Sequence, residues 1–397
     1  MYLIHGKPIE DINEQDFLSL IESKTPESKF IEYKLTLPDN SDKDKKEFLA
    51  DVSSFSNAAG GHIIFGISAK KGIPHQLVGL QNVDPDSEIL RMDNMLRDAI
   101  APRLPGIKLK SVPLKNGSSV IVLHISRSWI APHMVTYAGG TKFFSRNSAG
   151  KYQLDVFELR TAFSMTNIES NRIRDFRIDR LAKITAGETP IPMDDGPRIV
   201  LHVVPFGAFD FRHQFDLTKM PEYSESFVPI GANFRSNFRF NFDGVIAFER
   251  SGNQQDTAST YLQLFRNGII EASTTTLFTY KNDIPCIISI PFEEDLVEAL
   301  KRYLNIYRKL EIEPPFLIML SVLGVSGYAL PHKSHDYVGV HFHMIDRNDL
   351  IVPEIFADDL NQPPDKIIRP AIDAVWNSAG LKGSPYYDAN DNWNTKR

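Results

Sequence analysis

The sequence predicts an α+β protein of two domains, and three observations carry that expectation. Its 397 residues are more than one ordinary hydrophobic core serves. Segments with helical spacing of apolar residues and segments with strand alternation are mixed in both halves. Between the halves, ITAGETPIPMDDGP (184–197) is rich in Gly, Pro and Asp and reads as a boundary. The expected division is 1–185, a linker over 186–197, and a second α+β domain over 198–397.

The elements follow in order. INEQDFLSLIES (12–23) spaces Ile12, Phe17, Leu18, Leu20 and Ile21 as a helix does. KFIEYKLTL (29–37) alternates Phe30, Glu32 and Lys34 against Ile31, Tyr33 and Leu35, which is strand periodicity. Asp42 to Ala58 predicts a helix with Phe48, Val52 and Phe55 on one face. GGHIIFGIS (60–68) is a glycine-led, β-branched strand, followed by a turn and a second short strand. Residues 84–100 predict a helix opening at Pro85 and stopped by Pro102 and Pro105. IKLKSVPL and SVIVLHIS flank KNGS as a hairpin, and TKFFSRN (141–147) adds a strand. Val156 to Ile184 is a long helix with many charges on one side. The second half predicts strands at 198–206, 244–250, 260–265, 268–274 and 315–321, and helices at 292–310 and 367–379. Residues 207–241 show no clear periodicity. The polar tail GSPYYDANDNWNTKR is expected to be mobile.

Composition narrows the function classes. Hydrophobic residues make up 42% and charged residues 24%, which is the balance of a soluble globular protein. No apolar run approaches the roughly 20 residues that span a bilayer. The first residues are acidic early and lack a long apolar stretch, so no signal peptide is expected. Cys286 is the only cysteine, which excludes an intrachain disulfide and a CxxC site; its setting, IPCIISI, predicts a buried, inert thiol. These features fit a cytoplasmic protein without membrane contact. The net charge of −6 means that any nucleic-acid contact must come from a local basic surface.

Three segments could carry chemistry. In ESKFIEYK, Glu32 and Lys34 are two apart on a strand and share a face, and Glu27 lies just before it. Two carboxylates and a lysine suit divalent-metal phosphodiester chemistry, although a half-exposed polar strand face has the same pattern. SSFSNAAGGHIIFGIS (53–68) ends a helix and turns on Gly60-Gly61. It has neither GxxxxGK[ST] nor GxGxxG, so a helix-to-strand turn competes with a phosphate loop. ISRSWIAPHMV and TKFFSRNSAGKY carry Arg127, Trp129, His133, Arg146 and Lys151 among Phe143, Phe144 and Tyr152. Basic residues among aromatics can hold phosphates and stack bases. In the second half Glu249, Arg250 and Arg266 read as ordinary surface charge.

The order ES-x3-EYK, FSN, AGGHIIFGI, IxPxLPG, SVIVLHIS, S-x4-PH and FFSRNSAGKYQLD resembles the AlbA_2 (divergent AAA-4) domain that forms the core of Schlafen proteins. The resemblance covers about 150 residues of the N-terminal half. It implies a nucleic-acid-associated domain whose nuclease members cut tRNA or rRNA with three acids and Mg²⁺ or Mn²⁺. Glu27 and Glu32 match two of those acids. The third, expected just after the GG-x-I-x-I-G strand, is replaced by Ser68. Asp51, on the preceding helix at the edge of its apolar face, is the candidate substitute.

The resulting expectation is a metal-dependent endoribonuclease. Glu27, Glu32 and Asp51 would be metal ligands, Lys34 a phosphate or water partner, and Arg127, His133, Arg146 and Lys151 substrate contacts. RNA is expected before DNA. A non-catalytic regulator binding nucleic acid or a nucleotide such as ATP is the alternative. Family members also occur in bacterial antiphage loci, which would make the second domain a sensor or an oligomerisation domain. A homodimer or larger homo-oligomer would rebuild the two-lobed groove of tandem Schlafen domains.

Overall fold

The computed structural model describes Lys7 and residues 9–210, 215–232, 236–251, 256–331, 343–388 and 393–394. The architecture is α+β, in two compact units, Met1–Ile168 and Glu169–Arg397.

In the first unit a helix α1 (Glu14–Glu22) precedes strand β1 (Ile31–Lys34), and helix α2 (Asp42–Asn57) leads to β2 (Gly61–Phe65). A hairpin β3 (Ile67–Lys70) and β4 (Ile73–Leu77) follows, then α3 (Pro85–Ala99), β5 (Ile100–Ala101), β6 (Ile107–Pro113) and β7 (Ser119–Ile125). Strands β8 (Met134–Val135), β9 (Lys142–Asn147) and β10 (Gly150–Gln153) complete it, before helix α4 (Val156–Thr185) passes into the second unit. The main sheet runs β1-β2-β7-β6, parallel between β1 and β2 and antiparallel elsewhere. A second sheet runs β10-β9-β8-β5.

The main sheet is covered on both faces, which follows from its strands. Ile31, Tyr33, Ile64, Val120 and Val122 pack with Phe17 and Leu20 of α1. Ile63, Phe65, Ile121 and Leu123 pack with Phe48, Val52 and Phe55 of α2 and with Met92 and Leu96 of α3. Strand alternation therefore turns Glu32 and Lys34 towards α2. Helix α2 begins at Ser41, whose hydroxyl accepts from the Asp44 amide at 3.2 Å, with Asp42 and Asp44 in the first turn. It ends just before the glycine pair. A Cβ on Gly61 would lie 2.4 Å from the Phe30 carbonyl oxygen and 2.6 Å from the Phe55 ring. One on Gly60 would lie 2.7 Å from the Arg127 amide nitrogen. The glycines are thus required by close packing at the helix-to-strand turn.

In the second unit, α4 is followed by β11 (Arg198–Pro205), β12 (Asn237–Phe240), β13 (Gly244–Arg250), β14 (Ala258–Phe265), β15 (Ile270–Thr274), β16 (Phe278–Lys281) and β17 (Ile284–Ile287). Helix α5 (Ser289–Lys309), β18 (Phe316–Leu323), β19 (Asp349–Ile351), β20 (Ile355–Ala357) and α6 (Pro364–Ser378) follow. One eight-stranded sheet runs β12-β13-β14-β15-β11-β18-β19, with β20 also on β18. Its larger core includes Leu201, Leu262, Ala272 and Leu320 against α5 and α6. Ile184 and Leu181 of α4 pack on Val200 and Leu323 of the opposite face.

That second face also holds a buried polar cluster. Glu271 is fully buried and holds Arg180 through two 2.8 Å bonds, His202 at 3.0 Å and the Tyr261 hydroxyl at 2.8 Å. Burial pushes its carboxyl up, but Arg180 and His202 outweigh that and hold it at about 2. Arg177 adds bonds to the Leu320 and Val352 carbonyls. These contacts place the C-terminal half of α4 with the second unit, so the division falls at 168/169, ahead of the Gly- and Pro-rich 186–197.

Two further differences from the sequence reading stand out. The segment 207–241 contains two 3₁₀ turns and the edge strand β12. The described part of the C-terminal tail is docked, contrary to the expected mobility. Tyr386 and Tyr387 are buried, and Glu293 accepts from Ser384 Oγ and Trp376 Nε1 at 2.6 Å and from Trp393 Nε1 at 3.0 Å. Residues 389–392 and 395–397 of the tail lie outside the described residues. Cys286 is buried, as the apolar setting predicts. Among the described residues no helix is long and apolar enough to cross a membrane.

Removing one partner of a buried ion pair leaves the other charge uncompensated. Arg180→Met is therefore expected to cost about 3–5 kcal/mol of stability. Urea denaturation reads this, and a loss under about 1 kcal/mol would show that the Glu271 cluster does not hold α4.

Candidate nucleic-acid interface

Four elements of the first unit meet at the cluster of Asp51 and Glu32. Asp51 sits on α2, almost fully buried, in the same helix face region as Phe48 and Phe55. Lys34 Nζ of β1 approaches Asp51 Oδ2 at 3.1 Å and Glu32 Oε1 at 2.8 Å, bridging the two carboxylates. Lys151 Nζ of β10 approaches Asp51 Oδ1 at 2.6 Å. Arg146 of β9 lies directly across the ladder from Lys151 and donates from Nη2 to Glu32 Oε2 at 2.8 Å. The guanidinium lies over the Phe55 ring, 3.5 Å from its centroid, a cation–π contact that offsets the lack of partners for Nε and Nη1.

The hairpin that supplies Arg146 and Lys151 is fixed by Asn57, the last residue of α2. Its side-chain nitrogen donates to the carbonyls of His133 at 2.9 Å and Phe144 at 2.8 Å, and its oxygen accepts from the His133 amide at 2.7 Å. The FSN signature is thus a clamp joining α2 to β9.

The electrostatics follow from burial. Burial raises the Glu32 carboxyl, but hydrogen bonds and charge from Lys34, and then Arg146, overcome it and leave the group below its ordinary value. Asp51 moves upward, driven by burial and by the neighbouring Glu32 charge, against Lys151 and Lys34. Burial pulls Lys34 down, yet Asp51 and Glu32 outweigh it and keep the ammonium charged well above its ordinary range.

Several expected site residues are placed differently. Glu27 does not join Glu32 and Asp51: its Oε1 accepts from the Tyr33 amide at 3.1 Å on the edge of β1, and its own amide donates to the Gly72 carbonyl. Ser68 lies on the β3–β4 hairpin, with its hydroxyl 3.4 Å from the Gln76 carbonyl oxygen. His133 is fully buried, bonded to the Pro102 carbonyl at 2.7 Å and Ser128 Oγ at 2.6 Å, so it is no surface contact for nucleic acid. Arg146 is buried as well, and its role is to hold Glu32. Arg127 stacks on Trp129 at 4.5 Å and is half-buried. In the second unit Arg266 Nε donates to the Phe242 carbonyl at 3.1 Å, and Arg250 lies over Phe248.

The divalent ion that the resemblance implies does not fit this arrangement. Its oxygen ligands would sit at about 2.0–2.6 Å. The space between Glu32 and Asp51 is filled by the Lys34 ammonium, the outer Asp51 oxygen by Lys151, and the other Glu32 oxygen by Arg146. Among the described residues no group of three or more His, Cys, Asp or Glu is placed to share a metal ion.

One residue at the site escaped the sequence reading. Glu47 lies one helical turn before Asp51, with Oε1 at 3.4 Å from Lys34 Nζ and 4.0 Å from Lys151 Nζ. The i, i+4 spacing was the available signal.

Residues 27–155 match the Schlafen, AlbA_2 family. This AlbA_2 segment contains the whole Asp51 cluster and the Asn57 clamp. No curated protein matches the chain. Among solved structures, the DIP2311 protein of Corynebacterium diphtheriae is similar at 16% identity, over 35% of this chain and 29% of its own, with a TM-score of 0.24. The N-terminal domain of an ATP-dependent DNA helicase RecG-related protein from Nitrosomonas europaea is similar at 22% identity, over 30% of this chain and 74% of its own, with a TM-score of 0.23. TM-scores this low establish no shared overall fold.

The matched segment also buries three of its histidines, His62, His124 and His133. His124 Nδ1 faces His62 Nε2 at 3.0 Å across β7 and β2. Burial pushes His62 and His133 down to about 4, and burial with the neighbouring His62 pushes His124 down to about 3. The unfolded chain protonates these groups near 6.5. Below that pH the unfolded state therefore binds more protons, and stability falls as pH drops from 6.5 towards 4. Thermal melts between pH 7 and 5 should show a steady decline, with a shallower slope in His62→Asn. Equal slopes in both proteins would remove the pair from the acid response.

Proposed function

We propose that the N-terminal unit is a nucleic-acid-binding module that holds backbone phosphate at the rim of the Asp51 cluster without a divalent ion in that site. The observation that carries this reading is the pair Lys34 and Lys151. Both ammonium groups are anchored on one buried carboxylate, yet each side chain remains 30% exposed. Anchored, partly exposed cations are the residues that position a phosphate. The family match over residues 27–155 supports the nucleic-acid class. A local cationic rim also answers the acidic total charge.

The cleavage reading, a metal-dependent endoribonuclease with a role in antiphage defence, rests on Glu32 and Asp51 alone, because Glu27 is engaged at the β1 edge. One experiment separates the two. Fluorescence anisotropy with a labelled single-stranded RNA and the matching DNA, with EDTA or with Mn²⁺, measures binding while a gel follows strand length. Binding that ignores the chelator, with intact strands, is the expected result. Lys151→Met should lower the slope of log affinity against log salt by about 1. Cleavage that EDTA stops and Glu32→Gln abolishes would instead establish the metal-dependent nuclease.

A further inference from the structure

We propose that Glu47 is a built-in occupant of the phosphate position, displaced by one internal phosphodiester group of a bound strand. The proposal rests on the nucleic-acid reading above and says which atom group the strand must replace.

The carboxylates of the cluster are not equivalent. Asp51 is buried and Glu32 largely shielded, and both are held at 2.6–3.1 Å by their cations. Glu47 is 51% exposed, and its carboxylate stands at 3.4 Å and 4.0 Å from the same two ammonium groups. It is the weakly held member and faces solvent. An exposed ion pair of this kind contributes little to stability and is readily exchanged.

Charge identifies what replaces it. Glu32 and Asp51 carry two negative charges, and Lys34, Lys151 and Arg146 carry three positive ones. This inner set has a surplus of one positive charge, which Glu47 cancels. A phosphodiester carries the same single negative charge as the carboxylate. A terminal phosphate monoester carries about two near neutral pH and would leave the site overcharged.

The cations do not need Glu47 to stay in place. Lys34 is bridged between Glu32 and Asp51, and Arg146 is stacked on Phe55. Lys151 is held by Asp51 and also donates to the Glu47 backbone oxygen at 3.3 Å, a contact that survives any change of the Glu47 side chain. Loss of the carboxylate therefore opens a preformed site between two fixed donors. Glu47 acts as an internal competitor that sets the threshold for strand binding.

The test uses the full chain and a labelled single-stranded RNA at low salt. Glu47→Gln should bind about 3- to 10-fold tighter than wild type, with a gain that shrinks as salt rises. Its melting temperature should stay within about 2 °C, as expected for an exposed pair. Asp44→Asn, on the same helix, controls for loss of any negative charge and should change affinity less than twofold. In a Lys151→Met background the gain from Glu47→Gln should vanish, which a double-mutant cycle measures.

Strands with a 5′-hydroxyl and a 5′-phosphate should bind equally. A gain confined to the 5′-phosphorylated strand would overturn the phosphodiester assignment. Binding by wild type with no gain in Glu47→Gln, or an equal gain in Asp44→Asn, would overturn the role of Glu47 and leave the nucleic-acid reading standing. Binding by none of these proteins would remove both.

Discussion

The buried charge of Asp51 is the constraint on which the first unit depends. A carboxylate placed inside a core must find cations, because desolvation alone costs several kcal/mol. Its partners come from β1 and β10, far apart in sequence, and the Arg146–Glu32 pair ties in β9. The ion cluster and the Asn57 clamp therefore fasten one hairpin at two points along α2. The polar rim exists because two of the cations that neutralise Asp51 reach the surface with their other faces.

The second unit solves the same problem with a different outcome. Glu271 is as deeply buried, and Arg180, His202 and Tyr261 enclose it completely. No solvent-facing donor is left over from that set, so the cluster serves to seat α4 on its sheet. Glu293 plays a similar part for the tail, through two tryptophan indoles and a serine hydroxyl. Here burial is the first influence and raises the carboxyl, since its partners are neutral donors. A buried acid alone does not mark a site. What distinguishes Asp51 is that its partners remain partly exposed.

Much of the first unit was legible in the sequence. Helix α2, the β1 alternation and the β6–β7 hairpin follow from local spacing, because one buried face imposes a period on the chain. The facing of Glu32 and Lys34 on one side of β1 follows from the same rule. The role of Glu27 was not legible. A residue just before a strand can turn to either face, and the unpaired amide of an edge strand drew its carboxylate away. His133 illustrates the same limit: a loop histidine among basic and aromatic residues reads as either a substrate contact or a hydrogen-bonded loop group until the loop is folded against α2. The tail misled for a further reason. Its Tyr and Trp residues lie among polar neighbours, and the groups that dock them, Glu293 for Trp393, Ser289 for Tyr386 and Asp365 for Tyr387, belong to earlier elements.

By itself the sequence determined the fold class, the longer helices and strands and the resemblance of the N-terminal part to the AlbA_2 family, because period and motif are local properties. It also named Glu27, Glu32, Asp51 and Lys34 as candidates, without deciding whether they meet. Tertiary structure decided what those acids do. Lys151 and Arg146 are more than 90 residues from Asp51 and Glu32, and only the docking of the β9–β10 hairpin brings their charges into the same few ångströms. Since Coulomb interaction depends on distance in space and on burial, the site's occupancy by its own cations, and the place of Glu47 at its rim, were settled by packing.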